Sequence, residues 1–249
     1  MKIAISGKGG VGKSTISAII CEGLADMGSR VLAVDSDPSP HLARLLGFPN
    51  PDDIVPLAQM TDLLNERSNR QGAFYNLNPR VDDLPERLLL EKGGIKLMVV
   101  GAVQKGGGGC ACAENVVLRN LINVLFLKPE DAIVMDMEAG VEHLGRSTIE
   151  SVDHLLVVVE PYRGSMETAR KIERLATDLG LGGVKIVANQ VASPDDVEYI
   201  EAETGRPPFF SIPFEPAIRA AERRGDRIYP SVPDVVKGIV KEALEKLER

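Results

Sequence analysis

The chain has 249 residues, enough for a core that buries roughly 70–75 % of the unfolded surface, and its 44 % hydrophobic, 26 % charged and 4 % aromatic content excludes a disordered or fibrous class. A net charge of −7, with no local basic patch, argues against nucleic acid and anionic membrane as partners. No run approaches the about 20 apolar residues of a membrane span, "MKIAISGKGG" reaches glycine too soon for a signal peptide, and three cysteines make no disulfide framework, so a cytoplasmic protein is expected.

The first predicted strand, "KIAIS" at 2–6, runs directly into "GKGGVGKST", Gly7 to Thr15. The spacing G-x-x-x-x-G-K-[ST] falls on Gly7, Gly12, Lys13 and Ser14, with Gly9, Gly10 and Val11 between them. Glycines let backbone N–H groups wrap a phosphate at a helix N-terminus, Lys13 would reach the β and γ oxygens, and the Ser14 hydroxyl would ligate Mg²⁺. The helix predicted over 13–27 supplies the context this phosphate loop needs, and Cys21 on it, near Ile20 and Leu24, reads as a small core residue. "RVLAVD" at 30–35 is the second strand; it ends in "VDSDP", with Asp35 and Asp37, where ligands of open α/β sheets gather. Residues 48–94, rich in Pro, Asn and Asp with two leucine-bearing stretches, read as a surface insertion between strands.

The strand "KLMVVG" at 96–101 leads to "QKGGGGCACAEN", where four glycines precede Cys110 and Cys112. Thiolates suit Zn²⁺, Cu⁺ or Ni²⁺, and a closed site takes about four donors, of which one chain offers half. A two-fold axis that set Cys110 and Cys112 beside their copies would complete the set. Residues i and i+2 do not face each other on a regular helix, so the thiols converge only in a loop or at a helix's irregular first turn, and Gly106 to Gly109 allow that and close backbone approach. Tetrahedral Zn²⁺ and square-planar Ni²⁺ both remain open, as do unliganded thiols and a redox disulfide.

Further strands are "DAIVMDM" at 131–137, which carries Asp136 near its end, "HLLVVVE" at 154–160 and "VKIVANQ" at 184–190, which carries Asn189. Asn189 is followed by Gln190, Val191 and Ala192, so the N-K-x-D sequence that would select guanine is not present. Helices are predicted over 165–179 and 233–248; the last has Val235, Val236, Ile239, Val240, Ala243, Leu244 and Leu247 at helical spacing and a polar face of mixed sign, the pattern of a helix docked on the sheet. Near-continuous apolar strands alternating with helices predict a doubly wound α/β fold, a mostly parallel sheet flanked by helices, in one domain over 1–249.

Lys8 adds to the phosphate loop a second lysine that the simple motif does not require. With it the loop resembles the deviant Walker A signature of the MinD, ParA and nitrogenase iron-protein ATPases. That resemblance implies a homodimer in which Lys8 reaches the partner's ATP, so that Lys8, Lys13 and Asp37 act at the bond that breaks, Asp37 by positioning or activating water. By the same pattern Asp136 is the Walker B carboxylate near Mg²⁺ and Asp35 supports Mg²⁺ through water. Asn189 would read the adenine edge, and "IPFEP" at 212–216, with Pro213 and Phe214, would line the base.

Within that class the chain resembles the CooC-type accessory ATPases that help load nickel into carbon monoxide dehydrogenase. The likeness spans essentially the whole chain and is carried by the phosphate loop, the C-A-C pair, "DMEAGVEHLGR" at 136–146 and "VVVEPYRGSMETARKI" at 157–172. It implies ATP/ADP with Mg²⁺, Ni²⁺ or Zn²⁺ bridging two protomers at Cys110 and Cys112, and carbon monoxide dehydrogenase as the client. A MinD- or ParA-like spatial organiser would instead show a basic amphipathic tail or basic surface. An iron-sulfur electron donor would show a cysteine after "DMEAG", where the sequence has none.

Overall fold

Strands buried on both faces need apolar residues at consecutive positions, and the apolar runs of this sequence become such strands. The structure, a computed structural model, describes residues 1–37, Ser39, 41–69, Asn76, 78–101, 113–126, 131–138 and 152–248. Within these, a single eight-stranded sheet contains β1 (Lys2–Gly7), β2 (Val31–Ser36), β3 (Leu90–Lys92), β4 (Ile95–Val99), β5 (Ala132–Met137), β6 (His154–Val159), β7 (Val184–Val191) and β8 (Phe210–Pro213). The order is β3-β4-β2-β5-β1-β6-β7-β8, and every neighbouring pair is parallel except β3 with β4. The described helices are α1 (Lys13–Asp26), α2 (Leu42–Leu45), α3 (Thr61–Ser68), α4 (Leu84–Leu88), α5 (Ala113–Phe126), α6 (Arg163–Asp178), α7 (Pro194–Thr204), α8 (Pro216–Arg224) and α9 (Asp234–Leu247). This is the doubly wound, mostly parallel α/β fold expected from the sequence.

Alternation along the strands divides the core in two. Ile3, Ile5, Val31 and Ala33 join the cluster of Ile16, Ile20 and Leu24 of α1 and Val236, Val240 and Leu244 of α9. Ala4, Leu32, Val34 and Met135 join the opposite cluster, with Val117, Leu121 and Leu125 of α5 and Met166, Ala169 and Ile172 of α6. Each such Leu or Ile stabilises the fold by about 1.5–3 kcal/mol relative to an exposed one. The apolar stripe of α9 lies on α1: a Cβ on Gly23 would stand 3.5 Å from Leu244 and 3.9 Å from Val240.

The segment 48–94, read from composition as a surface insertion, contributes more than surface. Leu57, Leu64, Val81 and Leu84 are buried in the second cluster, and Leu90–Lys92 forms the antiparallel edge strand β3. The chain leaves β1 to build β2, β4 and β5 on one side, whereas β6, β7 and β8 lie on the other. The crevice between the carboxyl ends of β1 and β6 is therefore the switch point at which sheets of this kind bind their ligands.

Candidate functional site

Where β1 ends, the backbone takes turns that exclude side chains. A Cβ on Gly7 would collide with the Val158 carbonyl oxygen of β6, and one on Gly12, at φ 85°, would collide with the Asn189 amide nitrogen. Gly12 caps α1 in the left-handed conformation with no side-chain cap, and the first turn carries no acid, so the helix N-terminus keeps its N–H groups and positive dipole end for an anion. Val11 is fully buried beneath the loop, and its carbonyl accepts the Asn189 Nδ2 hydrogen at 2.9 Å. Lys13 is only 6 % exposed, its Nζ 3.5 Å from the Lys8 carbonyl oxygen.

The loop closes one side of a cleft of about 810 Å³. Gly9, Gly10, Gly12, Lys13, Ser14 and Thr15 line it, joined by Asp37 from the end of β2, Asn189 from β7, and Pro213 and Phe214 from the end of β8. Four strand ends thus bring these sequence-predicted residues together. Asn189 donates one amide N–H to the loop itself, so its first observed role is to brace the phosphate loop, with the second N–H and the side-chain oxygen left for a base. Phe214 is partly exposed, with the Arg219 guanidinium 5.8 Å from its ring centre.

The sequence reading missed Glu160, Gln190, Arg44, Ile218 and Glu222, all of which line the cleft. Gln190 adopts φ 57° at an irregularity in the β7–β8 pairing and donates Nε2 to Glu160 Oε1 at 2.8 Å. Burial pushes the Glu160 carboxyl up, with Arg219 opposing. Glu222, on α8, accepts the Thr15 hydroxyl. Glu160 at the end of the apolar run "HLLVVVE" and Gln190 directly after Asn189 on β7 carried a usable signal; Arg44, Ile218 and Glu222 arrive from helices that no local pattern ties to the loop.

Beneath the cleft two carboxylates stand side by side. Asp35 of β2 pairs in register with Asp136 of β5, and both are fully buried. Asp35 accepts the N–H of Asp37 at 3.2 Å with Oδ1 and the N–H of Leu42 at 3.0 Å with Oδ2, which fixes the turn that carries Asp37. Asp37 in turn accepts the Ser39 N–H at 2.9 Å. Neither oxygen of Asp136 has a hydrogen-bond partner of good geometry among the described residues. Burial raises the Asp136 carboxyl and the neighbouring Asp35 adds to the rise, while the Ser14 hydroxyl and Lys13 ammonium oppose it. Burial likewise raises Asp35, opposed by its two backbone hydrogen bonds.

Lys8 points elsewhere. It is not among the residues lining the cleft; its ammonium lies 4.9 Å from the ring centre of Tyr162, the N-cap residue of α6. At Gly164, the second residue of the same helix, a Cβ would stand 2.8 Å from the Lys8 Nζ, so the absent side chain makes room for the ammonium. Cys110, Cys112 and the glycines before them lie outside the described residues.

The sequence model of the CobQ/CobB/MinD/ParA nucleotide binding domain matches residues 2–228. The chain is 42 % identical to the carbon monoxide dehydrogenase accessory protein CooC of Rhodospirillum rubrum, over 99 % of this chain and 97 % of that protein. It is 38 % identical to an uncharacterized ATP-binding protein of Methanocaldococcus jannaschii, over 92 % of this chain and 91 % of that one. Among solved structures, the MinD cell division ATPase of Pyrococcus furiosus superposes with a TM-score of 0.68 at 26 % identity, covering 99 % of this chain and 98 % of that chain. No helix among the described residues is long and apolar enough to cross a membrane.

Proposed function

The chain belongs to the CobQ/CobB/MinD/ParA nucleotide-binding family and is an ATPase of that family; on that premise we propose that it is a Mg²⁺-dependent metallochaperone that uses ATP to deliver nickel during maturation of carbon monoxide dehydrogenase. The observation that carries this function is the end-to-end likeness to the carbon monoxide dehydrogenase accessory protein, joined to a C-x-C pair that offers half of a thiolate site. Carbon monoxide dehydrogenase is then the client, the nickel ion is cargo, and the whole chain works as one cytoplasmic domain.

In this function the phosphates of ATP lie on the N–H groups of Gly9 to Thr15, with Lys13 neutralising the β and γ oxygens. The oxygens of Asp136, without a partner of good geometry among the described residues and next to the Ser14 hydroxyl, fit Mg²⁺, which keeps several waters and takes one or two protein oxygens besides phosphate. When bound, that ion supplies neutralisation of the triphosphate charge. Asp37 orients the attacking water, and Asp35 is a positioning residue that holds the Asp37 turn through two backbone hydrogen bonds. Lys8, turned from its own cleft toward Tyr162, serves the nucleotide of a second copy, and the homodimer so formed sets Cys110 and Cys112 beside their partners to share Ni²⁺ or Zn²⁺. The spatial-organiser alternative loses support because the apolar stripe of the last helix is already laid on α1.

Anaerobic titration with Ni²⁺ or Zn²⁺, followed by size-exclusion chromatography with no nucleotide, ADP or a non-hydrolysable ATP analogue, tests the shared site. The expected result is a metal-dependent dimer that binds one ion per two chains and whose metal affinity changes with nucleotide. Dimerisation that ignores the metal, or that responds equally in a Cys110→Ala, Cys112→Ala variant, would remove the shared site and leave a nucleotide-driven ATPase.

A further inference from the structure

Asp35 uses each of its oxygens on a backbone N–H, and the donors belong to three different segments. Its carboxylate takes the N–H of Asp37 with Oδ1 and that of Leu42, the first residue of α2, with Oδ2. Its carbonyl takes the N–H of Val100 at 2.8 Å and the N–H of Gly101 at 3.1 Å. The pairing of β2 with β4 ends at Asp35 and Val99, so both of these bonds stand at the exit of β4. Gly101 has φ 76°, in the left-handed region, and that turn sets its N–H on the carbonyl that already holds Val100.

The same turn is pinned from its other side. Ala58, in the 3₁₀ turn Leu57–Gln59, donates its N–H to the Val100 carbonyl at 2.9 Å. A Cβ on Gly101 would stand 3.0 Å from the Pro56 Cβ and 3.3 Å from the Ala58 Cβ. Asp35 and Val100 are fully buried, so a bond that shifts there has no solvent to replace it. Asp37 lines the cleft, and Asp35 therefore joins the nucleotide site to the end of β4 with no slack between them. Groups packed this closely change place together or not at all. In sequence Gly101 is followed by "AVQKGGGGCAC" and then by Ala113, where α5 begins. The chain that carries the cysteine pair thus starts at the turn that Asp35 holds.

We propose that Asp35 couples the nucleotide to the cysteine pair: when Asp37 engages the γ-phosphate end of ATP, the four backbone bonds to Asp35 tighten as a unit and reset the turn at Gly101. Both are positioning residues, Asp35 beneath the cleft and Gly101 at the exit of β4. The link to metal handling rests on the metallochaperone reading; the movement of the turn with nucleotide does not.

Residue-resolved amide hydrogen exchange of the full chain, with Mg²⁺ and either ADP or a non-hydrolysable ATP analogue, reads that movement without any cargo metal. The amides of Asp37, Leu42, Val100 and Gly101 should exchange about tenfold more slowly with the analogue, while Leu97 and Met98 in the middle of β4 stay within about twofold. Unchanged exchange at Val100 and Gly101 overturns the coupling. Equal slowing at Leu97 and Met98 overturns it as well, since that is the general stabilisation any tighter ligand gives. Gly101→Ala keeps the N–H but sets a Cβ against Pro56 at a positive φ, which displaces the turn. This variant should bind both nucleotides, and Ni²⁺ without nucleotide, within about twofold of wild type, while the ratio of its Ni²⁺ affinities with the analogue and with ADP falls to about one. A variant that keeps the wild-type ratio overturns the coupling. A wild type whose four amides respond but whose Ni²⁺ affinity ignores nucleotide upholds the movement and overturns the metallochaperone reading. The exchange measurement needs no variant, so it decides even where Gly101→Ala does not fold.

Discussion

Asp35 and Asp136 oppose each other in adjacent strands, buried, with the Asp136 oxygens lacking partners of good geometry among the described residues. A pair like this costs stability, since two carboxylates in a low dielectric cannot both ionise freely. Burial and Asp35 raise Asp136 from 3.8 to about 7 in the folded chain. A carboxyl raised on folding binds more protons folded than unfolded, so stability falls as pH climbs from the unfolded value to the folded one, and the full penalty is present above it. Asp136→Asn removes that penalty while deleting the oxygens suited to Mg²⁺. The variant should therefore gain on the order of 1–2 kcal/mol at pH 8, roughly 2–8 °C in Tm, with the gain shrinking toward pH 5, while hydrolysis falls on the order of 100-fold. Thermal unfolding of nucleotide-free protein at the two pH values, beside a phosphate-release assay, measures both; a variant less stable than wild type at pH 8 would show that Asp136 is not a strained acid.

The elements were legible in the sequence wherever burial on two faces forced an apolar run. "KIAIS", "RVLAVD", "KLMVVG", "DAIVMDM", "HLLVVVE" and "VKIVANQ" all became strands, each shifted by no more than a residue or two. The edge strands β3 and β8 escaped notice, because "LEK" and "FSIP" are short and an edge needs no continuous apolar sequence. The phosphate loop was legible through its glycines, whose backbone geometry is local. Its support was not: the Asn189 amide reaches Val11 across the molecule, and neither residue signals the other in sequence. Asn189→Ala would leave the buried Val11 carbonyl unpaired, at a cost of about 1–2 kcal/mol, and would slacken the loop. If β7 acts by bracing the loop, the variant weakens competition by tripolyphosphate as much as by ATP, each by about tenfold. If Asn189 acts by reading adenine, tripolyphosphate inhibition stays at the wild-type level, and a competition series with both ligands separates the two.

At the scale of the whole molecule the two lysines of the loop have different surroundings. Lys13 is buried against its own loop and lines its own cleft, whereas Lys8 lies over Tyr162 beside the start of α6, at the opening between β1 and β6. An ammonium in that place contributes nothing to phosphates on the same chain until it turns outward, and in the proposed homodimer a second copy gives it something to turn toward. Division of labour between chains can be read by mixing two inactive variants. Lys8→Ala keeps a nucleotide site but has no lysine to lend; Lys13→Ala lends Lys8 but holds no nucleotide. Each alone should hydrolyse ATP on the order of 100-fold more slowly than wild type. Mixed in equal amounts and allowed to exchange, half of the isologous dimers carry one of each chain, and each of those has a single complete site, so about a quarter of wild-type activity should return. Were Lys8 to act on its own chain, every site in the mixture would still lack one lysine, and activity would stay at the level of the separate variants. Tyr162→Ala separates resting contact from catalysis in the same assay. Freed from the ring, Lys8 should still complement Lys13→Ala, because cation–π contact contributes only about 0.5–1 kcal/mol at such an exposed position.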